Sequence, residues 1–218
     1  MMFKVGSKLG QAEPVSIVIL TGVVLAIALA VYGYFASQAA IASYRQRIQA
    51  EIAKLRFNTV VSDLYSSGAD RYILIKRLDT STARITFSLV LGELYGETLL
   101  VYDILTDKVQ VYVLTYSGGL YIDNQIDVAQ SIPLDRLYTS IDTPLYPGYL
   151  KSRGLTHMPV YYQEAIQKPG AHGCDILLHI KFNSSITGNG YPILIIIEPI
   201  GSEYYIVDIY QLPRVSTL

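Results

Sequence analysis

Few residues in this chain can do chemistry, and their spacing limits what that chemistry is. His172-Gly173-Cys174 with His179 is the one cluster of soft ligands. A thiolate and two imidazoles suit zinc, and a thiol beside an imidazole suits nucleophilic attack. His172 and Cys174 fall in or beside a turn, whereas His179 falls inside a strand predicted over 176–182, and no standard zinc spacing is met. The plainer reading is a small buried thiol at a strand start with two ordinary histidines. Asp123, Asn124 and Asp127 offer oxygens to calcium, but the Gly and distal Glu of a calcium loop are missing, which leaves a polar hairpin end. Asn183-Ser184-Ser185 is an N-x-S/T acceptor just after a predicted strand, where glycosylation of Asn183 needs exposure. The chain contains no G-x-S-x-G, H-E-x-x-H, Walker or G-x-G-x-x-G motif and no paired C-x-x-C. The expectation is therefore no catalytic residue, no metal and no cofactor.

The elements around these residues are more informative. The chain has 218 residues, 51% hydrophobic and only 16% charged, with 19 Tyr, no Trp and one Cys. This excludes a disordered chain, a disulfide framework and a strongly basic nucleic-acid binder. A net charge of −1 supplies no general attraction to nucleic acid. The mean hydropathy of +0.32 is carried largely by one segment. Between Glu13 and Arg45 the only ionisable side chains are the phenols of Tyr32, Tyr34 and Tyr44. That is about 31 residues, where roughly 20 span a bilayer. The aliphatic and Phe residues from Val15 to Phe35 sum to about −4 to −7 kcal/mol of insertion free energy.

Pro14 is tolerated in the first turn of a helix and Glu13 complements the positive end of its dipole. Gly22, Ala26 and Ala30 recur every four residues, a small-residue stripe that permits close approach of another helix. Beyond Arg45 an amphipathic pattern with Ile48, Ile52, Leu55 and Val61 on one stripe predicts that the helix continues over 11–66, until Ser66-Ser67-Gly68 stops it.

From 67 to 218 the pattern changes to short Val-, Ile-, Thr- and Tyr-rich runs. Strands are predicted over 71–78, 83–91, 98–103, 108–116, 120–127, 176–182, 191–197 and 204–210. Ile193-Leu194-Ile195-Ile196-Ile197, between Pro192 and Pro199, reads as a buried strand. The Pro-containing stretch 132–168 reads as a long connection or an irregular edge strand. The expected fold class is α+β: a long N-terminal helix followed by an antiparallel β-sandwich-like head.

Lys8-Leu9-Gly10, then Gln11-Ala12-Glu13-Pro14-Val15 and the apolar run to Phe35, resembles the N-terminus of archaeal type IV pilins and archaellins. The resemblance covers the first 40 or so residues and, in outline, the helix-plus-β plan. It implies a leader over 1–10, cut between Gly10 and Gln11 by a prepilin peptidase. It also implies passage through the membrane with the pilus assembly machinery, and helices packed as the core of a homo-oligomeric filament used for adhesion. Leu9 separates Lys8 from the cut, and Glu13 would be the third mature residue. From another class, a single-pass protein whose β-domain binds a ligand or partner in a surface appendage or secretion machine fits the same pattern. A membrane-tethered enzyme using Cys174 and a histidine is a third reading. Lys4 and Lys8 before the helix are outnumbered by Arg45, Arg47, Lys54 and Arg56 after it, so a literal positive-inside count keeps the head in the cytoplasm. A long segment after a first helix can translocate regardless of charge, and this is the orientation taken.

Overall fold

A computed structural model describes residues 12–95, 98–117, 120–140, 143–144, 154–168, 171–183 and 190–214. The expected leader over 1–10 and the expected cut between Gly10 and Gln11 fall outside these residues. The chain divides into two compact units, Met1–Arg47 and Ile48–Leu218. The fold is α+β: one helix, α1 (Ala12–Asn58), precedes a β-domain.

The helix ends earlier than the amphipathic pattern predicts, at Asn58 rather than near Ser66. Val61 matched the helical stripe, but Thr59-Val60-Val61 is a β-branched run that packs better on a pleated surface. The terminal carbonyls are satisfied locally. Asn58 Nδ2 donates to the Lys54 carbonyl at 3.0 Å, and Thr59 Oγ1 to that of Leu55 at 2.8 Å. The Leu78 N–H takes the Asn58 carbonyl at 2.8 Å. Within the β-containing unit, Ile48 packs with Ile200 and Tyr205, and Ile52 and Leu55 pack beside them.

The strands are β1 (Thr59–Ser67), β2 (Asp70–Arg77), β3 (Thr82–Tyr95), β4 (Thr98–Ile104), β5 (Val109–Ser117), β6 (Leu120–Ile126), β7 (Gln130–Pro133), β8 (Leu137–Ser140), β9 (Thr143–Pro144), β10 (His157–Ile166), β11 (Cys174–Phe182), β12 (Tyr191–Ile200) and β13 (Glu203–Gln211). They form one 13-stranded sheet in the order β1-β2-β11-β10-β3-β12-β13-β8-β9, with β4 on β3, β7 on β10, and β5 between β11 and β6. Its pairs are antiparallel except β13 with β8. The sheet curls so far that the Asp63 N–H on β1 donates to the Tyr210 hydroxyl on β13 at 3.2 Å.

The curl encloses apolar side chains on both faces of the central strands. On β12, Leu194 and Ile196 pack with Ile85, Phe87 and Leu178, while Ile193, Ile195 and Ile197 pack with Val90, Ile132, Leu134 and Met158. A strand covered on both faces needs apolar residues at every position, which explains the unbroken isoleucine run. The stretch 132–168 is not a long connection. It carries β10, an interior strand paired with β3 over 161–166 and with β7 over 157–160. Pro159 sits where β10 is paired with the short β7, and Ser88 Oγ donates to its carbonyl at 2.8 Å.

Candidate functional site: an exposed apolar helix and a histidine clasp

Taken by itself, the described part of the first unit is a helix with its apolar side chains uncovered. Val18, Leu20, Leu25, Leu29 and Phe35 are 62–71% exposed. Gly22, Ala26 and Ala30 are exposed on α1, and the space a Cβ would occupy at Gly22 is empty to 4 Å. Within the run Thr21 Oγ1 donates to the Ile17 carbonyl at 2.8 Å, so this hydroxyl needs no outside partner. Helical backbone satisfies itself, and this segment therefore tolerates lipid or neighbouring helices on every side. Among the described residues it is the one helix long and apolar enough to cross a membrane.

The soft-ligand cluster does not converge. Cys174 and His179 are five positions apart on β11, an odd spacing that sends them to opposite sheet faces. Cys174 points into the core with Ile176 and Leu178, and its burial pushes the thiol up from its ordinary range, the opposite of an activated nucleophile. His172 is exposed in the bend before β11. No group of three potential metal-holding side chains forms among the described residues.

His179 instead enters a clasp that its position in the sequence does not announce. β11 lies between β2 and β5, and the register sets His179 opposite Tyr72 on one side and Tyr112 on the other. Its ring stacks between theirs, with centroids 4.4 and 5.4 Å away. Nε2 lies 2.8 Å from Asp70 Oδ1 and Nδ1 3.1 Å from Asp123 Oδ2. A neutral imidazole has one N–H, so both carboxylates are served at once only by the imidazolium. The two aspartates, together with burial as the largest cause, push the Tyr72 phenol up from its ordinary value. Of the three calcium candidates, Asp123 belongs to this clasp and Asn124 donates to Thr115 Oγ1 at 2.8 Å, while Asp127 is exposed just after β6. Asn183 is exposed in a bend after β11, and its N–H donates to the Lys108 carbonyl at 2.9 Å. The rest of its acceptor motif lies outside the described residues.

A second polar group lines a cavity of about 370 Å³ between the β2–β3 turn and the end of β12. Buried Arg77 reaches Glu198 Oε1 at 2.6 Å and Asp79 Oδ1 at 3.4 Å. Burial nevertheless holds the Glu198 carboxyl above its ordinary range, against the attraction of Arg77. These charges are occupied with one another, and the motifs gave no hint of them because their meeting depends on strand register.

Comparison with protein-family models, with curated proteins and with solved structures finds no match.

Proposed function

We propose that this chain is a pilin-like structural subunit of an archaeal type IV pilus-like filament at the cell surface, serving adhesion. The observation that carries the reading is the charge-free stretch of α1, whose large apolar side chains lie exposed while the β-domain has a full core of its own. About 31 charge-free residues at 1.5 Å each give roughly 46 Å, more than the ~30 Å hydrocarbon thickness. A segment stored in lipid and then packed against like helices uses all of that length. Gly22, Ala26 and Ala30 would be the close-approach stripe, and ridges of Ile and Val would exchange lipid contacts for protein contacts. The β-domain would be displayed outside the helical core.

Mass spectrometry of the natural protein, with electron microscopy of sheared surface fractions, tests this. The expected result is a mature chain beginning at Gln11 within filaments. An intact leader in assembled material, or absence of the protein from any filament, overturns it. The basic residues Arg45, Arg47, Lys54 and Arg56 favour a second reading, a single-pass anchor for a partner-binding β-domain. An uncleaved, membrane-bound, unassembled chain would establish that reading instead.

A further inference from the structure

We propose that β6 is a docking edge for a second copy of this chain, the two β6 strands pairing antiparallel about a two-fold axis so that the sheets become continuous. The inference concerns the β-domain alone and does not rest on the filament reading.

Among the described residues β6 pairs only with β5, and Leu120 to Gln125 are all exposed. Leu120 is 72%, Tyr121 62% and Ile122 48% exposed, and Tyr116, opposite Tyr121 on β5, is 66% exposed. An apolar edge with unpaired N–H and C=O groups is a template for another strand unless something blocks it. Lys, Pro or a bulge would block it, and β6 has none of them.

The other edge of the same run of strands, β6-β5-β11-β2-β1, makes the contrast. β1 carries a bulge between Asp63 and Tyr65, and its Asp63 N–H is already taken by the Tyr210 hydroxyl. One edge is defended and the other is open.

The chemistry of β6 selects a copy of itself as the occupant. Identical edges repel if they carry a net charge, and the single charged side chain on β6 is Asp123. Its carboxylate faces His179 Nδ1 at 3.1 Å, so a polar partner for it lies within its own chain. A two-fold axis normal to the sheet keeps each side chain on its own face, so paired positions share parity. With Asn124 on the axis, Asp123 faces Gln125, Ile122 faces Ile126, and the two Asp123 side chains never stand opposite one another. Asn124 then meets its own copy, its Nδ2 being held within its own chain by Thr115 Oγ1 at 2.8 Å and the Ile122 carbonyl at 3.3 Å.

Single cysteines placed in turn at 120–126, and for comparison at Ser62 and Leu64 of β1, test this in the full chain carrying Cys174→Ala in detergent micelles. The same scan with the buried Cys174 retained guards against a folding defect of that variant. Mild oxidation followed by non-reducing electrophoresis reads the dimer yield. The expected result is a maximum at Asn124→Cys, falling several-fold to either side and at both β1 positions. Adding Ile122→Lys should lower the Asn124→Cys yield several-fold. No dimer from any β6 position, equal yields on β1 and β6, or indifference to Ile122→Lys overturns the proposal.

Discussion

Val15–Phe35 of α1 and Ile193–Ile197 of β12 draw on the same aliphatic residues, yet the first is exposed along its length and the second is buried at every position. Backbone hydrogen bonding accounts for the difference. A helix closes its N–H and C=O groups internally, so its side chains can face any apolar environment, including one outside the chain. A strand must find neighbours, and β12 finds β3 and β13, which bring core residues to both of its faces. Burial of an apolar run therefore records where its backbone partners are, and an uncovered apolar helix implies an environment supplied by lipid or by other helices.

The comparison breaks most visibly under truncation. Phe87→Ala removes a fully buried ring from β3 and should destabilise the β-domain by about 3–5 kcal/mol. Leu25→Ala, on the exposed helix, should leave the same unfolding transition in place. Denaturant unfolding of the full chain in micelles, followed by tyrosine fluorescence, measures both. A comparable loss from Leu25→Ala would mean that the helix is part of the β-domain core.

A charge reverses the ranking. Leu25→Arg should cost about 3 kcal/mol of membrane insertion, near the centre of the run, which is over a hundredfold in partition. The β-domain transition should not move. Flotation with vesicles reads the first quantity and denaturant unfolding the second. Unchanged flotation would show that the segment does not reside in lipid.

Much of this contrast is legible in the residues. The predicted strands over 71–127 and 176–210 are present because alternation, β-branching and turn residues agree there. What failed did so where two patterns competed. Val61 fits a helical stripe and a strand equally well, and β-branching at 59–61 decided for β1. Pro159 argued against an interior strand, but it falls where β10 pairs with the short β7. Of the site, the apolar helix and its small-residue stripe were legible, since both are local. The clasp was not: His179 and Asp123 each stood out, but Asp70, Tyr72 and Tyr112 join them only through the registers of β2, β11 and β5.

Glycine substitutions sharpen the comparison at smaller scale. A Cβ at Gly92, where β3 shifts register against β4, would collide with the Leu100 carbonyl oxygen. Gly92→Ala should therefore destabilise the β-domain by roughly 1–3 kcal/mol, since backbone must move to admit the methyl. Gly22→Ala meets nothing and gains about 1 kcal/mol of helix propensity. Gly22→Ile should be equally silent in the dispersed chain, so any loss it causes appears only when helices associate. Cross-linking yield in micelles against intact membranes separates the two cases, and a defect in dispersed chains would contradict an uncovered stripe.

The smallest expected effect is on pH dependence, because the two regions differ in titratable groups as well as burial. Between Pro14 and Tyr44 the ionisable side chains are tyrosines, so vesicle binding through that segment should be flat across the carboxylate range. The β-domain should not be flat. Burial holds the Glu198 and Asp208 carboxyls above their ordinary range, opposed at Glu198 by Arg77 and at Asp208 by the Ile209 N–H and Arg56. A carboxyl whose folded value is raised keeps its proton where the unfolded chain has released it. Its contribution is therefore complete below the ordinary carboxylate value of about 4 and is lost as pH rises through the raised one. Other groups run the opposite way. Glu93, held low by hydrogen bonds from the Tyr95 and Tyr102 hydroxyls, gains its contribution as pH rises, so the wild-type curve alone is a mixture. The difference between wild type and Glu198→Gln isolates one carboxyl, since Gln keeps the shape of the protonated acid and cannot titrate. Unfolding free energies measured from about pH 3.5 to 7 should show wild type losing stability relative to Glu198→Gln as pH rises. A difference of the opposite sign would mean that the attraction of Arg77 outweighs burial at this pair.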